Sequence, residues 1–295
     1  MSEDRPLITV VATAPADLAG SGGDFVEWAG GGPFDVAIGL GRLGARVGLL
    51  TSLGDDAYGA AFAARLAADG VQSLGPAATA PVAEIRVEGS VRSYAFALAV
   101  DPRDADPWHV PAETACLHTE VIPTTRGSGA DAVRRVVEQW RGRVTVSYAP
   151  GCRQSPTGDP ARLRARVEQL VGLSDVVKAA EADLRWLYPE LDHIEVADAW
   201  LARGPALVVV TRGGQGAYGL CRSGAVTCPA APVDVVDVVG AGDAFTAGLL
   251  RGLAGRDLLG AKAAERLRAV STVVLGELLD EAAVAAAVTC GRAGA

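Results

Sequence analysis

The chain has 295 residues, 49% of them apolar, and a net charge of −8 from 27 basic and 35 acidic side chains. That length supports a large core in one α/β domain, and the acidic balance argues against nucleic acid as a general partner. Five cysteines without CxxC spacing and three scattered histidines argue against a disulfide framework or a zinc site, and neither a signal peptide nor an apolar run of spanning length is present, so a soluble cytoplasmic protein is expected.

In chain order, Leu7–Thr13 reads as a short buried strand, and Asp35–Gly44 as a helix that ends at a glycine despite its internal glycines. "RVGLLTSLG" is the next strand and Asp56–Gly70 the next helix, stopped by Gly70. Val82–Val100 breaks this rhythm. It alternates like two half-buried strands joined at "EGS", and such a hairpin on a doubly wound sheet suits a lid. Lid strands are expected within about 14–33 and 82–107. Further strands follow at "RVTVSYAP", "DVVKAAE" and "ALVVVTRGG", with helical segments such as "DPARLRARVEQLVGL" between them. Strands alternating with helices imply βαβ units and a parallel sheet covered on both faces. No repeat or linker divides the chain, so residues 1–295 are expected to form one domain.

Late in the chain, "DVVGAGDAFTAGLLRGL" (Asp237–Leu253) places Gly240, Ala241, Gly242 and Asp243 directly before a helical apolar pattern. A helix start leaves backbone N–H groups unpaired and carries partial positive charge, and small residues let a phosphate approach. Asp243 has two readings. It can be an N-cap on a tight turn, or a base that takes a proton from an attacking hydroxyl while the amides hold the phosphoryl group. Upstream, in "VVVTRGGQGAYGL", Thr211 ends a strand and Gly213, Gly214 and Gly216 form a loop. That loop is either a plain hairpin turn or one wall of a nucleotide pocket.

With these motifs in place the sequence resembles the PfkB (ribokinase-like) carbohydrate kinases, in their fructokinase-like branch. "GGGPFDVAIGLGRLGARVGLLTSLGDDAYG", "DVVKAAEADLRWLYP", "VVVTRGGQGA", "DVVGAGDAFTAG" and "TCGRAGA" are collinear with the family's segments over nearly the whole chain. The resemblance implies an α/β ribokinase-like three-layer sandwich, with a mostly parallel Rossmann-like sheet and a small β-sheet lid that often helps form a homodimer. It implies phosphoryl transfer from ATP with Mg²⁺ to a hydroxyl of a sugar-like small molecule, with a monovalent cation such as K⁺ as a further ligand. By position, Asp243 would be the base and Gly240–Asp243 the anion hole. Thr211, Gly213, Gly214, Gly216 and Lys178 would serve ATP. Asp17, Gly31, Asp35 and Arg153 would face the acceptor, and Glu181 and Asp183 would hold Mg²⁺ through water. Glu181 and Asp183 also read as first-turn acids that suit a helix dipole.

Departures from the family pattern cluster on the acceptor side. Asp35 stands where the family has Asn, and an ionised Asp accepts but cannot donate, which suits an acceptor with an amine or extra donors. "APGCR" (Ala149–Arg153) replaces DPNxR, Ala180 removes half of the N/S-x-x-E/D element, Val238 replaces a Thr, and "HTEVIP" (His118–Pro123) replaces a TGS-like segment. Two explanations stand: a kinase for an atypical acceptor, such as a modified sugar or nucleoside, or a PfkB-fold protein that has lost catalysis and binds ligands. Tyr94, Phe96 and Trp108 are read as lid or dimer packing, Arg103 as surface, and Cys152 and Cys290 as interior thiols.

Overall fold

Leu7–Val11 (β1) is buried along its whole length, which is why its sequence is continuously apolar or β-branched rather than alternating. A computed structural model describes residues 5–12, 32–51, 53, 57–75, 84–88, 91–95, 109–120, 129–152 and 160–292. After β1 come α1 (Gly32–Arg42), β2 (Arg46–Leu50), α2 (Ala57–Ala68) and β3 (Val71–Ser73), then β4 (Glu84–Glu88) and β5 (Val91–Ala95). The middle of the chain gives β6 (Thr114–Thr119), α3 (Gly129–Trp140), β7 (Thr145–Tyr148), α4 (Pro160–Leu173), β8 (Val176–Ala180), α5 (Glu181–Leu187) and α6 (His193–Leu201). The last part gives β9 (Leu207–Thr211), β10 (Ala217–Cys221), β11 (Gly224–Cys228), α7 (Ala241–Gly255), α8 (Ala264–Arg268) and α9 (Thr272–Cys290).

Nine strands form one sheet in the order β11-β10-β9-β8-β7-β6-β1-β2-β3. The pairings from β3 through to β9 are parallel, and β10 and β11 add an antiparallel edge. Side chains alternate between two cores, as the period of a strand requires. Ile8, Val10, Val47, Leu49, Val176, Leu207 and Val209 point to the core under α1, α2, α7 and α9. Val11, Leu50, Leu117, Val146, Val177, Val208 and Val210 point to the core under α3, α4, α5 and α6. This is the three-layer sandwich expected from the alternating pattern.

The helical glycines of α1 have a packing cause. A Cβ at Gly39 would stand 2.9 Å from the Ala247 Cβ, so α1 lies closer to α7 than a side chain allows. The turns after α1 and α2 are closed by Gly44 (φ 71°) and Gly70 (φ 72°), the stops legible in the sequence. Val82–Val100 contains the expected hairpin, since β4 and β5 pair antiparallel from Glu84–Ala95 to Glu88–Val91. Residues 13–31 and 96–108 lie outside the described residues, and with them Asp17, Gly31, Phe96, Arg103 and Trp108, as does Arg153.

The chain runs outward in both directions from the centre of the sheet: β1 leads to β2 and β3 on one side, while β6 to β9 extend on the other. The sheet order therefore reverses between β1 and β6. In open α/β sheets a crevice forms beyond the carboxyl ends of the strands at such a point.

Candidate active site

The turn before α7 is built from backbone. Gly240 precedes the helix in a left-handed conformation (φ 75°, ψ −6°), with no side chain capping the helix. A residue with a Cβ is strained there, so glycine answers a conformational demand. Asp243 is therefore the third residue of the helix and not its N-cap, which removes the plain capping reading. The Ala241 and Asp243 amides donate back to the Val238 and Gly240 carbonyls at 3.3 and 3.1 Å. Lys178 lies across this turn: a Cβ on Gly242 would stand 3.1 Å from its Nζ. Lys178 is the third residue of β8, on the face that carries α1 and α7. An ammonium and a helix N-terminus thus converge on a space that one methyl group would begin to fill, and a phosphate fits their chemistry.

The second glycine loop stands nearby in the fold. Thr211 ends β9, and its hydroxyl donates to the Ala179 carbonyl at 3.4 Å. Gly213–Gln215 forms a 3-10 turn, and Gly216 follows at φ 84°, where a Cβ would also meet the Cys228 carbonyl. The loop is the turn of the β9–β10 hairpin, and Thr211 is tied to β8, the strand that carries Lys178. The chain then crosses to α7 through "VVDVV" (Val235–Val239), whose valines are at least half exposed. The Val236 and Asp237 amides donate to the Cys290 carbonyl at 2.8 and 3.2 Å, which pins this apolar strip to the end of α9. A groove of about 780 Å³ runs between α1, α7 and α9 and reaches the site at Asp35 and Gly240.

Three carboxylates lie near enough to act on one another. Asp35 lies in the first turn of α1, Glu120 directly follows β6, and Asp183 is 6% exposed in the first turn of α5. Glu120 packs on the start of α1, where a Cβ at Gly32 would collide with its Oε2. Burial pushes the Glu120 carboxyl up to about 7; Lys178 opposes that shift, and Asp35 and Asp183 add to it. His118 is completely buried, with Nδ1 3.0 Å from the Ser147 hydroxyl and Nε2 3.9 Å from Glu120 Oε1. Burial and the Lys178 charge hold this imidazole at about 3, so it is neutral.

The two candidate metal residues part company. Glu181 pairs with Arg185 at 3.1 Å and with His193 at 3.3 Å. Asp183 is buried toward Tyr148, Cys152 and Glu120, and it helps hold the Tyr148 hydroxyl and the Cys152 thiol in their protonated forms. Among the described residues no three His, Cys, Asp or Glu side chains form a metal cage. Cys152 is buried as expected, whereas Cys290 is only half-buried.

The family model for pfkB family carbohydrate kinases matches residues 4–77 and 146–294. A fructokinase from Rhizobium leguminosarum bv. trifolii is 32% identical over 243 residues, covering 80% of this chain and 74% of its own. The chain belongs to the pfkB carbohydrate kinase family. Within that family it stands with the fructokinase-like branch, and its class of reaction is transfer of a phosphoryl group to a sugar hydroxyl. The pfkB fold is seen again in the structure of a fructokinase with bound ATP from Xylella fastidiosa, with a TM-score of 0.80 at 22% identity, covering 98% of this chain and 93% of that one. It recurs in a fructokinase double mutant from Vibrio cholerae bound to fructose, ADP and potassium, with a TM-score of 0.78 at 22% identity and 100% and 95% coverage.

Sequence reasoning singled out "HTEVIP" as a departure from the pfkB pattern but assigned no role to His118 or Glu120. The available signal was a glutamate set directly behind an apolar strand. Its meaning depends on β6 lying beside β1, more than one hundred residues away in the chain.

Proposed function

We propose that the protein is an ATP-dependent kinase that transfers the γ-phosphoryl group to a hydroxyl of a sugar or sugar-like acceptor, with an acceptor site altered from that of a fructokinase. One observation carries this reading: Asp243 stands in the first turn of α7, directly behind a turn of small residues that faces the Lys178 ammonium. Asp243 takes the proton of the attacking hydroxyl. The Gly240–Asp243 turn and Lys178 hold the negative charge that develops on the transferred group. Thr211, Gly213, Gly214 and Gly216 border the nucleotide, and the exposed Val235–Val239 strip offers its base an apolar wall. When bound, Mg²⁺ neutralises phosphate oxygens, and Asp183 is the better placed of the two candidate acids to orient its waters. Glu181 mainly fixes α5 against α6 through His193. The ATP, ADP and potassium in the related structures support a nucleotide and a monovalent cation here.

The acceptor enters at the crevice between β1 and β6, on the side of Asp35; by the resemblance, Asp17, Gly31 and Arg153 would also face it. The β4–β5 hairpin serves as lid and as the contact of a homodimer, since two strands alone are marginally stable in water. Among the described residues no helix is long and apolar enough to cross a membrane, which suits a cytoplasmic enzyme. Calorimetric titration with ATP–Mg²⁺, followed by ADP release across sugars, nucleosides and amino sugars, tests the reading. Nucleotide binding and acceptor-dependent ADP release are expected. Acceptor binding with no ADP release from any compound would point instead to a ligand-binding protein that has lost catalysis.

A further inference from the structure

The groove between α1, α7 and α9 runs away from the phosphate turn along the outer side of α7. Its volume of about 780 Å³ is that of a small-molecule site. The 15 residues of α7 give it a length of about 20 Å. Small residues make its floor, among them Ala244, Ala247 and Gly248 of α7 and Ala285 of α9. Packing explains part of this, since a Cβ on Gly248 would stand 3.0 Å from the Ala285 Cβ. Packing does not explain the walls. α9 buries Leu275, Leu278, Leu279 and Ala282 against the core, yet Val284 and Val288 on its opposite side are 56% and 57% exposed. A helix that is apolar all round is normally covered. Charge indicates what covers it. Arg42, Arg251 and Arg256 stand at the end of the groove where α1 and α7 finish, and Arg292 at the other. Arg42 is paired with Asp69 at 3.0 Å, and Arg256 with Glu277 and Glu281 at 3.1 and 2.9 Å. Arg251 is different. It forms no ion pair among the described residues, and its Nε donates to the Leu43 carbonyl at 3.3 Å. That bond holds the guanidinium at the end of α1 and leaves its Nη fork for an incoming carboxylate. A second copy of the chain would set these arginines against their own counterparts, and like charges oppose that contact. An anion with an apolar body answers both the walls and the charge.

We propose that this groove is a second ligand site, for an amphiphilic carboxylate with an extended hydrocarbon body. The carboxylate sits on Arg251, and the body lies over Ala247, Gly248 and Ala285 against Ile38 and Val284. The far end of the groove reaches Gly240, whose left-handed conformation starts α7. The occupant therefore touches the outer side of the turn that precedes Asp243, and it binds together with ATP instead of competing with it. The site needs no turnover of ATP, so it stands or falls separately from the kinase reading.

The test is calorimetric titration of the full chain with dodecanoate, kept below its micelle concentration. Butyrate, which has the carboxylate without the body, and dodecyltrimethylammonium, which has the body with the opposite charge, are the controls. One equivalent of dodecanoate is expected to bind, about tenfold or more tightly than either control, from charge-assisted hydrogen bonds and buried methylenes. Arg251→Gln should weaken it about tenfold. Val284→Asp, at an exposed position where substitution spares the fold, should weaken it by at least as much. Saturation with ATP–Mg²⁺ should leave dodecanoate bound. No binding, equal binding of the cationic amphiphile, uptake of many equivalents without saturation, or an affinity unchanged in both variants overturns the proposal. Displacement by ATP–Mg²⁺ overturns it too, because the groove would then be part of the nucleotide site. So does a wild-type dimer in sedimentation that Val284→Asp dissociates, which would put a second copy in the groove. The preference of the wild type for dodecanoate does not depend on how well either variant folds.

Discussion

Replacing Glu120 with Gln should expose a pH dependence of stability that the wild type conceals. Two neighbouring buried groups have shifted in opposite senses. Glu120 rises from 4.5 to about 7, so its folded form binds a proton more readily than its unfolded form. Its contribution to stability is fully present below pH 4.5 and is lost as the pH rises through 7. His118 falls from 6.5 to about 3 because burial and Lys178 oppose its charge. Its unfolded form takes up the proton first, so it costs stability as the pH falls below 6.5 and continues to do so down to about 3. Each slope approaches about 1.4 kcal/mol per pH unit, and integration from pH 6.5 to 4.5 gives about 2 kcal/mol for each group, of opposite sign. In the wild type the two nearly cancel. Gln mimics the protonated Glu120, so the variant keeps the native contacts of the acid form but loses the proton uptake that offsets His118. Relative to the wild type, Glu120→Gln should therefore lose about 2 kcal/mol on acidification from pH 6.5 to 4.5. For a chain of this length that equals about 3 °C in melting temperature. Thermal unfolding of both proteins at half-unit steps of pH reads it. Parallel pH profiles would refute the reasoning, because they would mean that Glu120 titrates alike in the folded and unfolded chain.

Two further substitutions probe the frame and the phosphate side. Gly248→Val should destabilise the protein by about 1–3 kcal/mol through overpacking, since a Cβ at Gly248 would stand 2.8 Å from the Ala282 Cα and 3.0 Å from the Ala285 Cβ. Urea unfolding measures this, and wild-type stability would mean that α7 and α9 are not in such close contact. Lys178→Met should weaken ATP binding about tenfold, the scale of one charge-assisted hydrogen bond. An unchanged calorimetric affinity would remove Lys178 from the phosphate site.

Much of the frame could be read from the sequence, because its signals are local. Continuous apolar runs mark Leu7–Val11 and Leu207–Thr211 as central strands, and Gly44 and Gly70 close the helices that precede β2 and β3. Alternation at Val82–Val100 marks the β4–β5 hairpin. The GAGD turn was legible as a helix start for the same reason, although its geometry was not: the special backbone conformation falls on Gly240, and Asp243 lies inside the helix. What the sequence did not reveal depends on contacts distant in the chain. Lys178 reads as a residue near a strand end, and only the packing of α7 on β8 sets its Nζ beside Gly242. Glu181 and Asp183 look equivalent in "AEAD", yet His193 from the following helix engages Glu181 while Asp183 turns inward. Glu120 gains its meaning from the β1–β6 neighbourhood alone.

The central claim is that Asp243 moves a proton during phosphoryl transfer, and the most direct measurement is the turnover of Asp243→Asn with ATP–Mg²⁺ and the best acceptor found for the wild type. Asn keeps the shape of the side chain but cannot serve as a base. The account predicts that kcat falls by about 10²–10⁴-fold, while the affinity for ATP and the melting temperature stay close to those of the wild type. Turnover at the wild-type rate in a folded, ATP-binding variant would contradict it.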